Sequence, residues 1–252
     1  MQRAESLERC LGSDEENKFA VLCLGIVLFY AVLALFSALG WVAGGWDHII
    51  GQSYEPPSNK NWTFWFGTDF LGRSVLFKAV QGVKIAFLVG LSSTLMSIPI
   101  GIFLGAIAGY FGGWIDDLIV WFYTTLSSIP YIMLVMAIAF VMGRGIDVVC
   151  IALGITGWVG LCRIIRGEVM KHKKREYVLA ARALGVGHFG RIFKHILPNI
   201  FHQVIISFSL HFPSAVKAEV ILSYLGLGAQ EQPSLGKMID DARMEIARDP
   251  SV

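Results

Sequence analysis

Polar and apolar positions along this chain fall into long blocks rather than the short alternations of a water-facing domain. No Asp, Glu, Lys or Arg occurs at 19–46, 85–115 or 118–143. A hydrocarbon core takes about 20 apolar residues per helix, so each block is long enough to cross. With two shorter blocks behind them, the pattern predicts five spans, at 19–39, 85–108, 118–142, 146–165 and 200–220. The fourth lies between Asp147 and Arg163, whose long side chain reaches back to the interface. The fifth holds His202, Gln203 and His211 and is expected to break at Pro213. Pro99 and Pro130 predict kinks in the second and third spans. The fold class is therefore an all-α integral membrane helix bundle.

Composition agrees. Of 252 residues 55% are hydrophobic and 16% charged, with a mean hydropathy of +0.60; soluble domains carry about 25% charged residues. A net charge of +2 gives no support to general nucleic-acid binding. Cys10, Cys23, Cys150 and Cys162 show no CxxC spacing, so neither a disulfide framework nor a zinc site is expected. The first block is too long for a signal-peptide core and follows an acidic stretch, which reads as a retained helix.

Charge changes the picture by setting orientation. Residues 163–198 hold nine Lys and Arg against two acids, whereas 41–83 holds three of each. The positive-inside rule then makes 1–18 a cytoplasmic N-terminus, 19–40 the first membrane helix and 41–83 an external loop. It makes 84–225 a core of four spans carrying the cytoplasmic loop 166–198, and 226–252 an external tail. Trp62, Phe64, Trp65 and Phe66 look like an aromatic belt at the outer interface.

Catalytic chemistry finds no foothold. Gly236-Lys237 imitates the end of a phosphate-binding loop, but Glu231 and Met238 occupy the positions of its first Gly and its Ser or Thr. No HExxH or GxSxG occurs. His172, His188, His195, His202 and His211 lack an acidic partner spaced to complete a metal site, so no metal, cofactor or catalytic residue is assigned. Two other features carry information. Gly101, Gly105 and Gly109 recur every four residues, with Gly113 beyond, and expose backbone on one helix face. In the basic loop, 176–184 reads as a helix ended by a left-handed Gly185, with Ala180 and Ala181 forming a small-residue face. A second helix at 188–197 places Phe189, Ile192, Phe193 and Ile196 on one side. In the fifth span, Ser207, Ser209, His211 and Ser214 offer a polar lining, and Lys217 and Glu219 either pair or face a vestibule.

Ala180-Ala181-x3-Gly185 followed by Leu197-Pro198 resembles the EAA loop of permease subunits in bacterial ABC importers, closest to the C-type permease of the dipeptide/oligopeptide and nickel branch. GTDFLGR at 67–73, Trp158 with Arg163-x2-Arg166-Gly-Glu168, and ILSYLGLG at 221–228 are similar to three further motifs of that branch, in the same order. Leu179 replaces the Glu of EAA, His195 an apolar residue, and Ser74 an Asp. The resemblance implies an inner-membrane permease that is not itself an enzyme. Its implied partners are a homologous second permease, two cytoplasmic ATPases and an external solute-binding protein. It implies that Ala180, Ala181 and Gly185, with Glu176, Arg182, Leu184 and Pro198 around them, dock on the ATPase. Relatives continue into one more helix, so the chain is expected to be C-terminally shortened, with five spans visible and the sixth missing. The implied cargo is di- or oligopeptides, with nickel or another small solute as the alternative. A membrane scaffold with a basic lipid-binding loop is the reading from another class.

Overall fold

The computed structural model describes residues 2–59, 61–228 and 232–248, with side chains at 18, 20–59, 61–228 and 232–247. Eleven α-helices are present among them: α1 (Gln2–Ala38), α2 (Val75–Phe111), α3 (Gly113–Ser127), α4 (Tyr131–Met142), α5 (Ile146–Thr156), α6 (Trp158–His172), α7 (Glu176–Ala183), α8 (His188–Gly190), α9 (Leu197–Asn199), α10 (Phe201–Tyr224) and α11 (Leu235–Arg248). A π-helical segment, Arg191–Ile196, joins α8 to α9. Strand content among the described residues is limited to two isolated bridges, Ile49 with Arg73 and Thr68 with Ser74.

Four helical stretches are long and apolar enough to cross a membrane: Ala20–Ala38, Val75–Phe111, Ile146–His172 and Phe201–Tyr224. The third expected span, 118–142, is two helices, α3 and α4, bent by 86°. Pro130 caps α4 at φ −53° and ψ 128°, so the chain leaves helical angles there instead of kinking within one helix. The second span also differs from expectation. Ser74 accepts the Phe77 N–H at 3.3 Å and starts α2 ten residues before 85, so 75–83 belongs to the helix and not to the loop. Pro213 does not break the fifth span, which runs unbroken from Phe201 to Tyr224.

The chain forms two compact units, 1–87 and 88–252. In the first, 41–74 folds into a polar knot. Asp69 Oδ1 accepts the N–H groups of Leu71 and Arg73 at 2.9 and 2.8 Å, and Oδ2 accepts Lys78 Nζ at 2.9 Å. Thr68 Oγ1 donates to Gln52 O at 2.6 Å and accepts Glu55 N–H at 2.8 Å. Gly67 and Gly72 take φ of +70° and +73°, and a Cβ at either would run into the backbone carbonyl of Glu55 or Gly51. Ser74 also donates to Thr63 O at 2.7 Å.

In the second unit α6 is the central element. One side of it, with Leu161, Ile165 and Val169, packs with Ala106 of α2, Val178 of α7, Ile192 and Ile196 of the π segment, and Ile200 and Val204 at the start of α10. Another side carries Trp158 and Cys162 against Tyr123 of α3. The glycine stripe does what its spacing implies. A Cβ at Gly101, Gly105 or Gly109 would lie 3.0, 2.6 or 2.5 Å from the carbonyl oxygens of Trp158, Cys162 and Arg166, so α2 lies directly on the backbone of α6. Gly113 stands outside this contact, with open space around it. The tail forms α11 against α10, and Gly236 is where they cross: a Cβ there would strike Val220 O. Of the charged tail positions, Glu231 and Asp249 lie outside the described residues.

Candidate functional site

The basic loop is a hairpin with a defined frame. Tyr177 pins the start of α7 to the end of α6 through a 2.7 Å hydrogen bond between its hydroxyl and His172 Nδ1. Glu176, exposed in the first turn of α7, sits where the helix dipole favours an acid. The helix ends as its sequence predicts. Gly185 takes φ +78°, its N–H donates to Arg182 O, and Val186 N–H donates to Ala181 O, both at 3.0 Å. This paired 5→2 and 6→1 closure is a Schellman motif.

Burial divides the hairpin into an inner and an outer face. Val178 and Ala181 point inward at 3% and 4% exposure, with Ile192 and Ile196. These side chains lie past the end of the span, where the alternative solvent is water, so each burial stabilises by roughly 1.5–3 kcal/mol for the larger ones. Leu179, Ala180, Arg182, Leu184 and Gly185 face outward, and Leu184 is 84% exposed. Two expectations change here. Ala181 belongs to the inner face, packed against its own chain, so it is not a docking surface. Phe189 and Phe193 share a stripe with Ile192 and Ile196 but not their burial. At about 100° per residue the four cover a stripe about 100° wide. The two Ile form its inner edge, while the two Phe stack on each other at 6.5 Å on its exposed edge.

Pro198 lies in the first turn of α9 and is exposed. Having no N–H, it cannot serve the carbonyl of Lys194, and the chain just before it widens into the π segment. Asn199 Nδ2 caps His195 O at 2.6 Å.

Inside the membrane region, a cavity of about 230 Å³ is lined by Ser97 and Ile98 of α2, Gly157, Gly160, Leu161 and Ile164 at α6, and Ser207, Leu210, His211 and Ser214 of α10. Three of the polar residues singled out in the fifth span meet here. The His211 ring is held between Thr94 Oγ1 at Nδ1 and Gly157 O at Nε2, both at 3.2 Å. A neutral ring protonated on Nε2 satisfies both contacts. The Ser207 hydroxyl is buried and has no partner among the described groups. The other three residues do not join the lining. Ser209 is exposed and donates to Ile205 O. Lys217 and Glu219, two apart, point to different sides of α10 and do not pair: Lys217 is exposed, while Glu219 is 2% exposed and accepts Ser223 Oγ at 2.6 Å.

Asp116 was not anticipated. It accepts a two-pronged contact from Arg166, at 2.5 Å from Nε and 2.7 Å from Nη2, and ties the first turn of α3 to α6. Arg163, instead of reaching to the interface alone, donates to Ser127 Oγ at 2.8 Å and lies 4.8 Å above the Tyr123 ring. The signal available in sequence was the pair Asp116-Asp117 isolated between two uncharged blocks.

Residues 101–244, which hold both the hairpin and most of the cavity wall, match the family described as binding-protein-dependent transport system inner membrane component. The chain is 37% identical over 228 residues to the dipeptide transport system permease protein DppC of Bacillus subtilis, covering 90% of this chain and 70% of the relative. It is 36% identical over 238 residues to the oligopeptide transport system permease protein OppC of Haemophilus influenzae, with 92% and 75% covered. The OppC protein of Bacillus subtilis is 33% identical over 229 residues, with 89% and 73% covered.

Proposed function

This chain belongs to the binding-protein-dependent transport system inner membrane components, and from that premise we propose that it carries di- or oligopeptides across the inner membrane and takes its energy from a separate ATPase at the 166–198 hairpin. The observation that carries the coupling role is the outer face of that hairpin. Leu179, Leu184, Phe189 and Phe193 stand exposed on a frame that its own inner face already fixes. Solvated turns rarely hold a cluster of this size in water without a protein or membrane to cover it. The chain has no phosphate-binding loop, so hydrolysis belongs to a partner. Peptide cargo is supported by the names of the dipeptide and oligopeptide relatives. The assembly comprises a homologous second permease, two ATPases and a solute-binding protein. The N-terminus and hairpin face the cytoplasm, in keeping with the lysine and arginine excess at 163–198.

The translocation path runs along α10, where Ser207, His211 and Ser214 line the cavity with Ser97. Access alternates as packed helices move between outward- and inward-facing arrangements, biased by ATP at one end and the loaded binding protein at the other. The test is Leu184→Glu in the complete importer. Labelled dipeptide uptake is expected to fall at least tenfold and the ATPase to be lost on co-purification, with the permease at normal abundance. Normal uptake would overturn the docking face. Uptake of labelled nickel in place of peptide would overturn the cargo.

A further inference from the structure

Beside the hairpin lies a second cavity, of about 610 Å³, whose Lys173, Lys174 and Arg191 the transport reading does not use. It is lined by Tyr110, Phe111, Lys173, Lys174, Val178, Leu179, Arg182, His188 and Arg191. Four of these are permanent cations and none is a carboxylate. Among the described residues, none of the four forms an ion pair. Elsewhere in the same unit cations have acids at hand, as Arg166 has Asp116 and Lys171 has Glu168. Concentrating four like charges around one hollow costs repulsion unless an anion enters.

Two further observations point to what fills it. Arg191 Nε is buried and has no acceptor, an unmet donor of the kind that an absent ligand explains. Its guanidinium is held over the Tyr110 ring at 5.7 Å, and Nη2 lies 3.4 Å from His188 Nδ1, so the group is positioned in advance. The height of the cavity is also informative. Tyr110 and Phe111 are the last residues of the span α2, and Lys173 and Lys174 directly follow the span that ends at His172. The hollow thus opens at the ends of two membrane-crossing helices, on the headgroup side of the apolar spans, with Phe111 42% exposed at its rim.

We propose that this cavity binds the phosphodiester headgroup of an anionic membrane lipid. Basic pockets between helices at a membrane surface hold such headgroups by this chemistry. The lipid's acyl chains would lie against the exposed apolar surface of α2, and its phosphate would complete the unmet donor. The site shares Leu179 and Arg182 with α7, so an occupied pocket braces the hairpin from beneath. The inference does not depend on ATPase docking, and its test uses the permease without ATP.

The purified full chain in neutral detergent is mixed with dioctanoyl-phosphatidylglycerol, dioctanoyl-phosphatidylcholine or inorganic phosphate, and bound lipid is read by native mass spectrometry. Phosphatidylglycerol is expected to be retained at least tenfold better than phosphatidylcholine and to be lost as salt rises. Lys174→Gln and Arg191→Gln should each weaken it roughly fivefold, and Lys174→Arg should retain it. Lys174 is exposed, so its replacement leaves the core intact. Equal lipid occupancy in wild type and both Gln variants would overturn the proposal. So would full competition by inorganic phosphate at equal concentration, which marks a free-anion site. A third overturning outcome is loss of ATPase binding, with lipid unchanged, in the Gln variants; the cations would then be serving a protein carboxylate.

Discussion

The loop 41–74 and the hairpin 173–198 each reverse the chain between helices, but they are built with opposite polarity. The loop keeps its polar groups inside: Asp69 gathers two backbone N–H groups and Lys78, and Thr68 bridges Gln52 to Glu55. The hairpin keeps Val178, Ile192 and Ile196 inside and turns its cations outward. A polar frame depends on each bond and on the charge state of its centre. An apolar frame depends on shape and leaves its outer surface free for contacts that do not alter the fold. This difference suits one region to be a fixed structural knot and leaves the outer surface of the other open to contacts.

The largest effect should come from breaking the polar frame at its tightest point. Gly72→Val sets a branched side chain at φ +73° against Gly51 O, and it should cost about 2–5 kcal/mol. Thermal unfolding in detergent reads this, and an unchanged midpoint would remove the loop's claim to be tightly determined.

Asp69→Asn comes next, at about 1.5–3 kcal/mol, because it weakens charged hydrogen bonds and removes a negative charge 2.9 Å from Lys78 Nζ. Burial alone would raise the Asp69 pKa, but the hydrogen bond and charge of Lys78, with the N–H groups of Arg73 and Leu71, hold it below the ordinary 3.8. The folded carboxylate therefore binds its proton less readily than the unfolded one. Its contribution is complete above the ordinary value and drains away as pH falls through the lowered one. Acid titration of stability should show this loss in wild type and a flatter curve in the Asn variant.

In the hairpin, Val178→Ala should cost about 1–2 kcal/mol. Its slope with pH should match that of wild type, since no charge is involved. Ser74→Ala should cost about 1 kcal/mol through the lost cap of α2. Smallest of all, Leu184→Ala should change stability by less than about 0.5 kcal/mol while still lowering uptake. Comparable unfolding losses for Val178→Ala and Leu184→Ala would erase the distinction between inner and outer faces.

Much of this was legible before any coordinates. Uncharged blocks located the spans, Gly185 located the end of α7, and the Gly101, Gly105 and Gly109 spacing located a close helix contact. What escaped has physical reasons. The 86° turn depends on Pro130 taking a ψ of 128°, whereas apolar composition is the same for one long span or two short ones. The stripe at 189–196 was read correctly as a stripe, but pattern alone does not say which edge faces the core. Ala181 is small enough for either side of a helix, and its burial is decided by the π segment packed against α7. Asp116 escaped because its partner is 50 residues away.

The seam between α2 and α6 has a mechanical consequence. Along Gly101, Gly105 and Gly109 the backbone of α2 lies against the carbonyls of Trp158, Cys162 and Arg166 and against the side chains of Leu161, Ile165 and Val169. The α2 side of this joint has no rotamers to reset, which leaves little slack along it. If α6 is displaced, this stretch of α2 has little room to lag behind, and the two helices are suited to turn together as one crank.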